Sequence, residues 1–179
     1  MTNREIYNDI AKEISEVTTK RYSTSFSLGI NFFSSDIRSS IYGIYGFVRF
    51  ADEIVDTFFD QDQEKLINNF EEETLNCIKR KFSSNPILHA FQIVVNNYKI
   101  PIELIKSFLN SMKMDIYKEN HSEDSYNNYI YGSAEVIGLM CIHVFCKGNN
   151  NKIEELTDAA QKLGAAFQKV NFLRDLKDD

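Results

Sequence analysis

Two prolines in 179 residues, Pro86 and Pro101, leave most of this chain free to run in long elements. Each stands at the head of an apolar-periodic run, where proline is tolerated in a first helical turn. Between such breaks the apolar residues recur at three- and four-residue spacing, and there is no alternating pattern of any length. An all-α chain follows, organised as one domain over residues 1–179 and long enough to bury a real core. The start and stop signals predict helices from Glu5 to about Arg21, from a Ser34–Asp36 cap to about Phe59, and from Gln63 to about Phe82. Further helices are expected from Asn85–Pro86 to about Tyr98, from Ile100–Glu103 to about Glu119, and from His121–Asp124 through Phe145. A last one runs to the end after Gly148–Lys152.

Several function classes fall away on composition. A formal net charge of −6 with no basic cluster argues against nucleic-acid binding. The cysteines, Cys77, Cys141 and Cys146, are odd in number and lack framework spacing, which suggests free thiols in a reducing compartment. Cys141, His143 and Cys146 read as packing residues, because positions i and i+2 do not share a helix face. The N-terminus is charged from the start and resembles no signal peptide. The longest apolar run, Val136–Phe145, is too short to span a bilayer. A cytoplasmic protein is expected.

The chemistry concentrates in "YGIYGFVRFADEIVDTFFD", Tyr42–Asp60, an apolar stretch that nevertheless carries Arg49, Asp52, Glu53 and Asp56. On a helix, Tyr45, Arg49, Asp52 and Asp56 form one narrow stripe, with Tyr42 and Glu53 on its edge. Asp52 and Asp56 then lie one turn apart and repel by roughly 0.2–0.5 kcal/mol. Taken alone, this stripe is equally well a solvated face of an amphipathic helix. The last helix tilts the balance. In "GAAFQKVNFLRDLKDD", Gly164–Asp179, the residues Gln168, Asn171, Asp175 and Asp179 form a second stripe. It is flanked by Phe167, Val170, Phe172 and Leu176 and opposed by Lys162, Lys169 and Lys177, which suggests a cavity-facing ridge. Buried carboxylates need a cation or a hydrogen-bonding partner. Aspartate pairs on two helices that face each other suit a hard divalent cation, and magnesium commonly bridges carboxylates to phosphates. Arg49 and Arg174 add candidate bidentate contacts to phosphate oxygens.

Here the sequence resembles the squalene/phytoene synthases, which join two prenyl diphosphates head to head. The resemblance covers nearly the whole chain. Tyr22–Asp56 resembles the family's N-terminal block, ending in its first aspartate-rich motif, and "YIYGSAEVIGLM" (Tyr129–Met140) resembles the middle block. Gly164–Asp179 matches the second aspartate-rich signature at every defined position. The resemblance implies the isoprenoid synthase helical bundle and magnesium, or manganese, as cofactor. It implies metal ligation by Asp52 and Asp56, and by Asn171, Asp175 and Asp179. Tyr22, Ser23, Thr24, Ser25, Tyr45, Arg49, Gln168 and Arg174 fall where the family contacts substrate diphosphates and the reacting centre, Tyr129 falls on an active-site tyrosine, and Phe26 lines the prenyl pocket. The implied reaction joins two geranylgeranyl diphosphates through a cyclopropylcarbinyl diphosphate to phytoene, a step of carotenoid biosynthesis. Squalene or dehydrosqualene synthesis from farnesyl diphosphate is the alternative. A non-catalytic relative serving respiratory-complex assembly is another, disfavoured by the retained acids. The oily product suggests peripheral membrane association. No glycine-rich nucleotide loop indicates NADPH use.

The chain departs from the family pattern at three places. Glu53 stands where the family usually has a second aspartate, and could still support the metal site. Tyr22 and Thr24 stand where histidine and lysine are frequent. The sequence ends on the last acid of the second motif, Asp179, whereas family members continue with further helices. On that ground the 179-residue form is expected to be truncated and to turn over poorly. Glu135, in a run of small and apolar residues, is expected to face the cavity, whereas His89 and His121 have ordinary structural roles.

Overall fold

The computed structural model describes residues 1–117 and 128–178, except for the side chains of Phe172 and residues 174–178. All regular structure among the described residues is helical, as the sequence pattern predicts. Two compact units are present, Met1–Ile100 and Pro101–Asp179.

The first unit contains α1 (Asn3–Tyr22), α2 (Thr24–Ile30), α3 (Ser35–Asp56), α4 (Gln63–Arg80) and α5 (Pro86–Tyr98). Their ends follow from local chemistry. Thr2 and Glu5 form a reciprocal capping box at the start of α1. Asn85 caps α5 through the backbone N–H groups of Ile87 and Leu88, with Pro86 in the first turn. Helix α2 was not apparent in the sequence. It is seven residues long, too short for a periodic signal, and it starts where the Ser23 side chain accepts from the backbone N–H of Phe26.

Helix α3 buries its apolar arc against α1, α4 and α5. Phe47 and Phe91 are fully buried and stack face to face with ring centroids 3.9 Å apart, and Phe70 also stacks with Phe47 at 5.6 Å. His89 is also fully buried. Its Nε2–H donates to Asn8 Oδ1 at 2.8 Å, and its Nδ1 accepts from the Ser83 backbone N–H at 3.3 Å, so the ring is neutral here. Burial lowers its pKa, with the nearby Arg4 charge acting in the same direction.

The second unit contains α6 (Ile102–Tyr117), a π-helical segment (Tyr131–Glu135) that runs directly into α7 (Val136–Phe145), and α8 (Asn150–Asp178). The expected helix start at His121–Asp124 lies outside the described residues. The π segment packs on α6 and α8. Two glycines make that approach possible. A Cβ at Gly132 would meet the Ser107 carbonyl oxygen at 2.7 Å, and one at Gly164 would meet the Ala134 carbonyl oxygen at 2.8 Å. No helix among the described residues is long and apolar enough to cross a membrane.

Two outcomes follow. The folded protein should lose stability as pH falls below about 6.5, because the unfolded chain protonates His89 at a higher pH than the folded one does. In urea titrations from pH 8 to 5, a His89→Asn variant should lack that part of the decline. Gly164→Ala should cost about 1–3 kcal/mol by forcing α8 off the π segment, lowering the melting temperature by several degrees.

Candidate active site

Helix α3 ends on Asp56, three residues earlier than the sequence pattern suggests. The Gln63 side-chain amide explains the stop. It donates to the carbonyl oxygens of Ile54 and Val55 at 2.9 and 2.7 Å, satisfying groups that would otherwise continue the helix. Asp52, Glu53 and Asp56 therefore occupy the final turns of α3, where the helix dipole is negative and no basic residue lies in the last turn. Each carboxylate so placed is disfavoured by about 0.3–1 kcal/mol relative to a neutral site. Carboxylates so placed are stabilised by a nearby positive charge.

One cation is built in. Arg49 pairs with Glu53 one turn along, and its Nη1 lies 3.9 Å from Asp52 Oδ2. Its guanidinium also sits over the Tyr22 ring, 4.3 Å from the centroid. Burial works against the Arg49 charge, but the bond and charge of Glu53 outweigh it and the pKa rises. Glu53 is 8% exposed. Burial pushes its carboxyl up, yet interactions with Thr57, Arg49 and Tyr22 more than offset this and hold it below the usual range. Asp56 behaves oppositely. The residue is exposed, but partial desolvation of its carboxyl raises its pKa; the Glu53 charge adds to this and Arg49 only partly compensates. That carboxylate is thus under-neutralised, and its donor chemistry fits a hard divalent ion better than it fits the protein around it.

The short helix α2 completes this wall. It lays Phe26 against Tyr45, ring centroids 5.0 Å apart, and brings Ser23 within hydrogen-bonding reach of Tyr45. Desolvation raises the Tyr45 pKa, with the Ser23 bond opposing. Thr24 and Ser25 are exposed, and Tyr22 is 51% exposed. The structure thus gathers Tyr22, Ser23, Phe26, Tyr45, Arg49, Asp52 and Asp56 at one end of α1, α2 and α3. Two contributions are not read from the sequence. Glu53 stands there on the stripe's edge as a possible support of the metal site, and its pairing with Arg49, signalled by their four-residue offset, appears only in the structure. Gln63 carried no signal at all, since its partners are carbonyls eight and nine residues away.

In the second unit, α8 packs through Ile153, Thr157, Ala160, Gln161, Gly164, Ala165 and Gln168, an arc of half-buried residues. Gln168 therefore faces the packed side, and Asn171, which continues the same register, is exposed. Of the apolar flanks inferred for this ridge, the side chains of Phe172 and Leu176 lie outside the described residues, and Phe167 and Val170 are 62% and 61% exposed. The reason is geometric. Glycine at 164 lets the polar edge of α8, rather than its apolar edge, settle on the π segment. Glu135 is half-buried and accepts from the Gln161 amide at 3.2 Å. Tyr129, half-buried, precedes the π segment, an irregularity that is often found at functional sites. The side chains of Arg174 and Asp175, and all of Asp179, lie outside the described residues. Among the described residues no three carboxylate, histidine or cysteine side chains cluster as a ready-made metal site.

Removing the Gln63 amide should fray the end of α3. Gln63→Ala is expected to cost about 1 kcal/mol and to speed amide hydrogen exchange at residues 55–57, with α5 unaffected.

Residues 19–179 match the sequence profile of the family described as squalene/phytoene synthase. Among curated proteins the chain is similar to phytoene synthase 2, chloroplastic, of Zea mays, with 26% identity over 170 residues, 88% of this chain and 40% of that protein. It is similar to a 4,4'-diapophytoene synthase of Staphylococcus haemolyticus, with 25% identity over 165 residues, 89% of this chain and 56% of that protein. Among solved structures, a dehydrosqualene synthase in complex with ligand superposes with a TM-score of 0.80 at 23% identity, covering 93% of this chain and 57% of that one. A squalene synthase from Alicyclobacillus acidocaldarius gives 0.82 at 19% identity, covering 95% and 63%. These likenesses show the isoprenoid synthase helical fold. The chain spans about half the length of the curated relatives it matches.

Proposed function

We infer, since the chain belongs to the squalene/phytoene synthase family, that it serves the head-to-head condensation of two prenyl diphosphates. The observation that carries this reading is the acid-rich C-terminal end of α3, where Asp52 and Asp56 flank an arginine already held in place. Asp52 and Asp56 would hold magnesium, with Asn171, Asp175 and Asp179 proposed as further ligands, and the ion would supply Lewis-acid help to the departure of diphosphate.

The chain's own residues do the rest. Arg49 offers a fixed guanidinium to diphosphate oxygens, and its pairing with Glu53 keeps it from wandering. Tyr45, with Ser23 beside its hydroxyl, presents a polar edge near the departing group. Phe26, stacked on Tyr45 and 42% exposed, offers an apolar face to a prenyl chain. Ser25, Thr24, Gln168 and Arg174 complete the diphosphate contacts, and Tyr129 stands by the reacting centre. An apolar surround keeps water from a carbocation on its way through a cyclopropylcarbinyl diphosphate.

Two geranylgeranyl diphosphates giving phytoene is the leading substrate assignment, supported by similarity to plant proteins named phytoene synthase. The farnesyl alternative has its own support in the similarity to a 4,4'-diapophytoene synthase over an equal share of this chain.

Calorimetric titration of the purified chain with each prenyl diphosphate tests both levels. Binding should require magnesium and weaken at least about tenfold in Asp52→Asn and Asp56→Asn, the scale of losing a metal ligand. Geranylgeranyl diphosphate should bind more tightly than farnesyl diphosphate. The reverse order would favour the alternative, and binding indifferent to magnesium and to both variants would remove the reading altogether.

A further inference from the structure

The geometry points to Glu53 as a positioning residue that orients Arg49 and fastens the end of α1 to α3, rather than as a third metal ligand of the α3 wall. The inference rests on the proposed diphosphate-binding role of that wall.

Glu53 is the most buried of the three acids, whereas Asp52 is half-buried and Asp56 exposed. Of the three carboxylates, Glu53 is therefore the least accessible to an incoming ion. One of its oxygens, Oε1, is already engaged. Arg49 Nη2 donates to Oε1 from the preceding turn, and the hydroxyl groups of Tyr22 and Thr57 interact with the same carboxylate. Two of these partners lie on α3 or at its cap, and Tyr22 is the last residue of α1. The same Tyr22 ring covers the guanidinium from above. Arg49 is thereby clamped between a carboxylate and an aromatic face, with its Nε buried and lacking a hydrogen-bond partner. Such a group keeps its orientation only while the opposing partners hold it. Glutamate suits this role where aspartate does not. Its additional methylene allows one carboxylate to span from its own helix to Tyr22 while still meeting Arg49 one turn back.

The two roles predict opposite behaviour. Glu53→Gln and Glu53→Asp are compared with wild type in three measurements. These are magnesium binding alone, magnesium-dependent binding of inorganic diphosphate, and solvent exchange of the Arg49 Nε–H by nuclear magnetic resonance without ligand. A positioning role gives magnesium dissociation constants within twofold of wild type in both variants. Diphosphate binding weakens about tenfold, the usual cost of losing an orienting partner, and Arg49 Nε–H exchange accelerates at least tenfold. A magnesium affinity that falls tenfold in Glu53→Gln and is retained in Glu53→Asp, with unchanged Arg49 exchange, would establish a ligand role and overturn the inference. Equivalence of Glu53→Asp to wild type in all three measurements would overturn the argument from reach. Should wild type bind no diphosphate, the proposed function fails, and Arg49 exchange alone then decides whether Glu53 holds the guanidinium.

Discussion

Burying the apolar arc of α3 against α1, α4 and α5 is the constraint from which the rest of the first unit follows. Once Phe47 is stacked with Phe91 and Phe70, the rotation of α3 is set. The face carrying Tyr45, Arg49, Asp52 and Asp56 is then turned away from that aromatic core, and Tyr22 and Phe26 cover part of it. Aromatic stacking of this kind contributes about 0.5–1.5 kcal/mol beyond simple burial, and it also fixes which side chains remain free for chemistry. The proposed site is the part of α3 that this aromatic core did not claim.

That part of α3 carries an electrostatic debt at the end of the helix. Three acids sit where the dipole is already negative, and Arg49 answers them from within. Glu53 takes the arginine's contact and is satisfied, with its pKa held down. Asp56 is left with a raised one. The contrast between two acids three residues apart divides the motif into a part that builds the wall and a part with capacity to bind.

Much of this was legible in the sequence. The helical period, the Asn85–Pro86 start and the face shared by Tyr45, Arg49, Asp52 and Asp56 all depend on spacing along one helix, which sequence records directly. What was missed depends on contacts between elements. Helix α2 has too few residues to show a period, and Gln63 caps carbonyls that no pattern marks. The exposure of Phe167 and Val170 on α8 accompanies a close approach at Gly164 that hydrophobicity alone does not foresee. The π segment is likewise invisible, since a one-residue slip in hydrogen bonding leaves the apolar pattern almost intact.

The central claim is that the end of α3 is a divalent-cation wall. Paramagnetic broadening by manganese, added to isotopically labelled protein, locates such a site without any turnover. The account predicts resonance loss centred on Asp52 and Asp56, with Phe91 and His89 in the buried core much less affected. Broadening centred elsewhere, or none at manganese concentrations well above those of the protein, would contradict it.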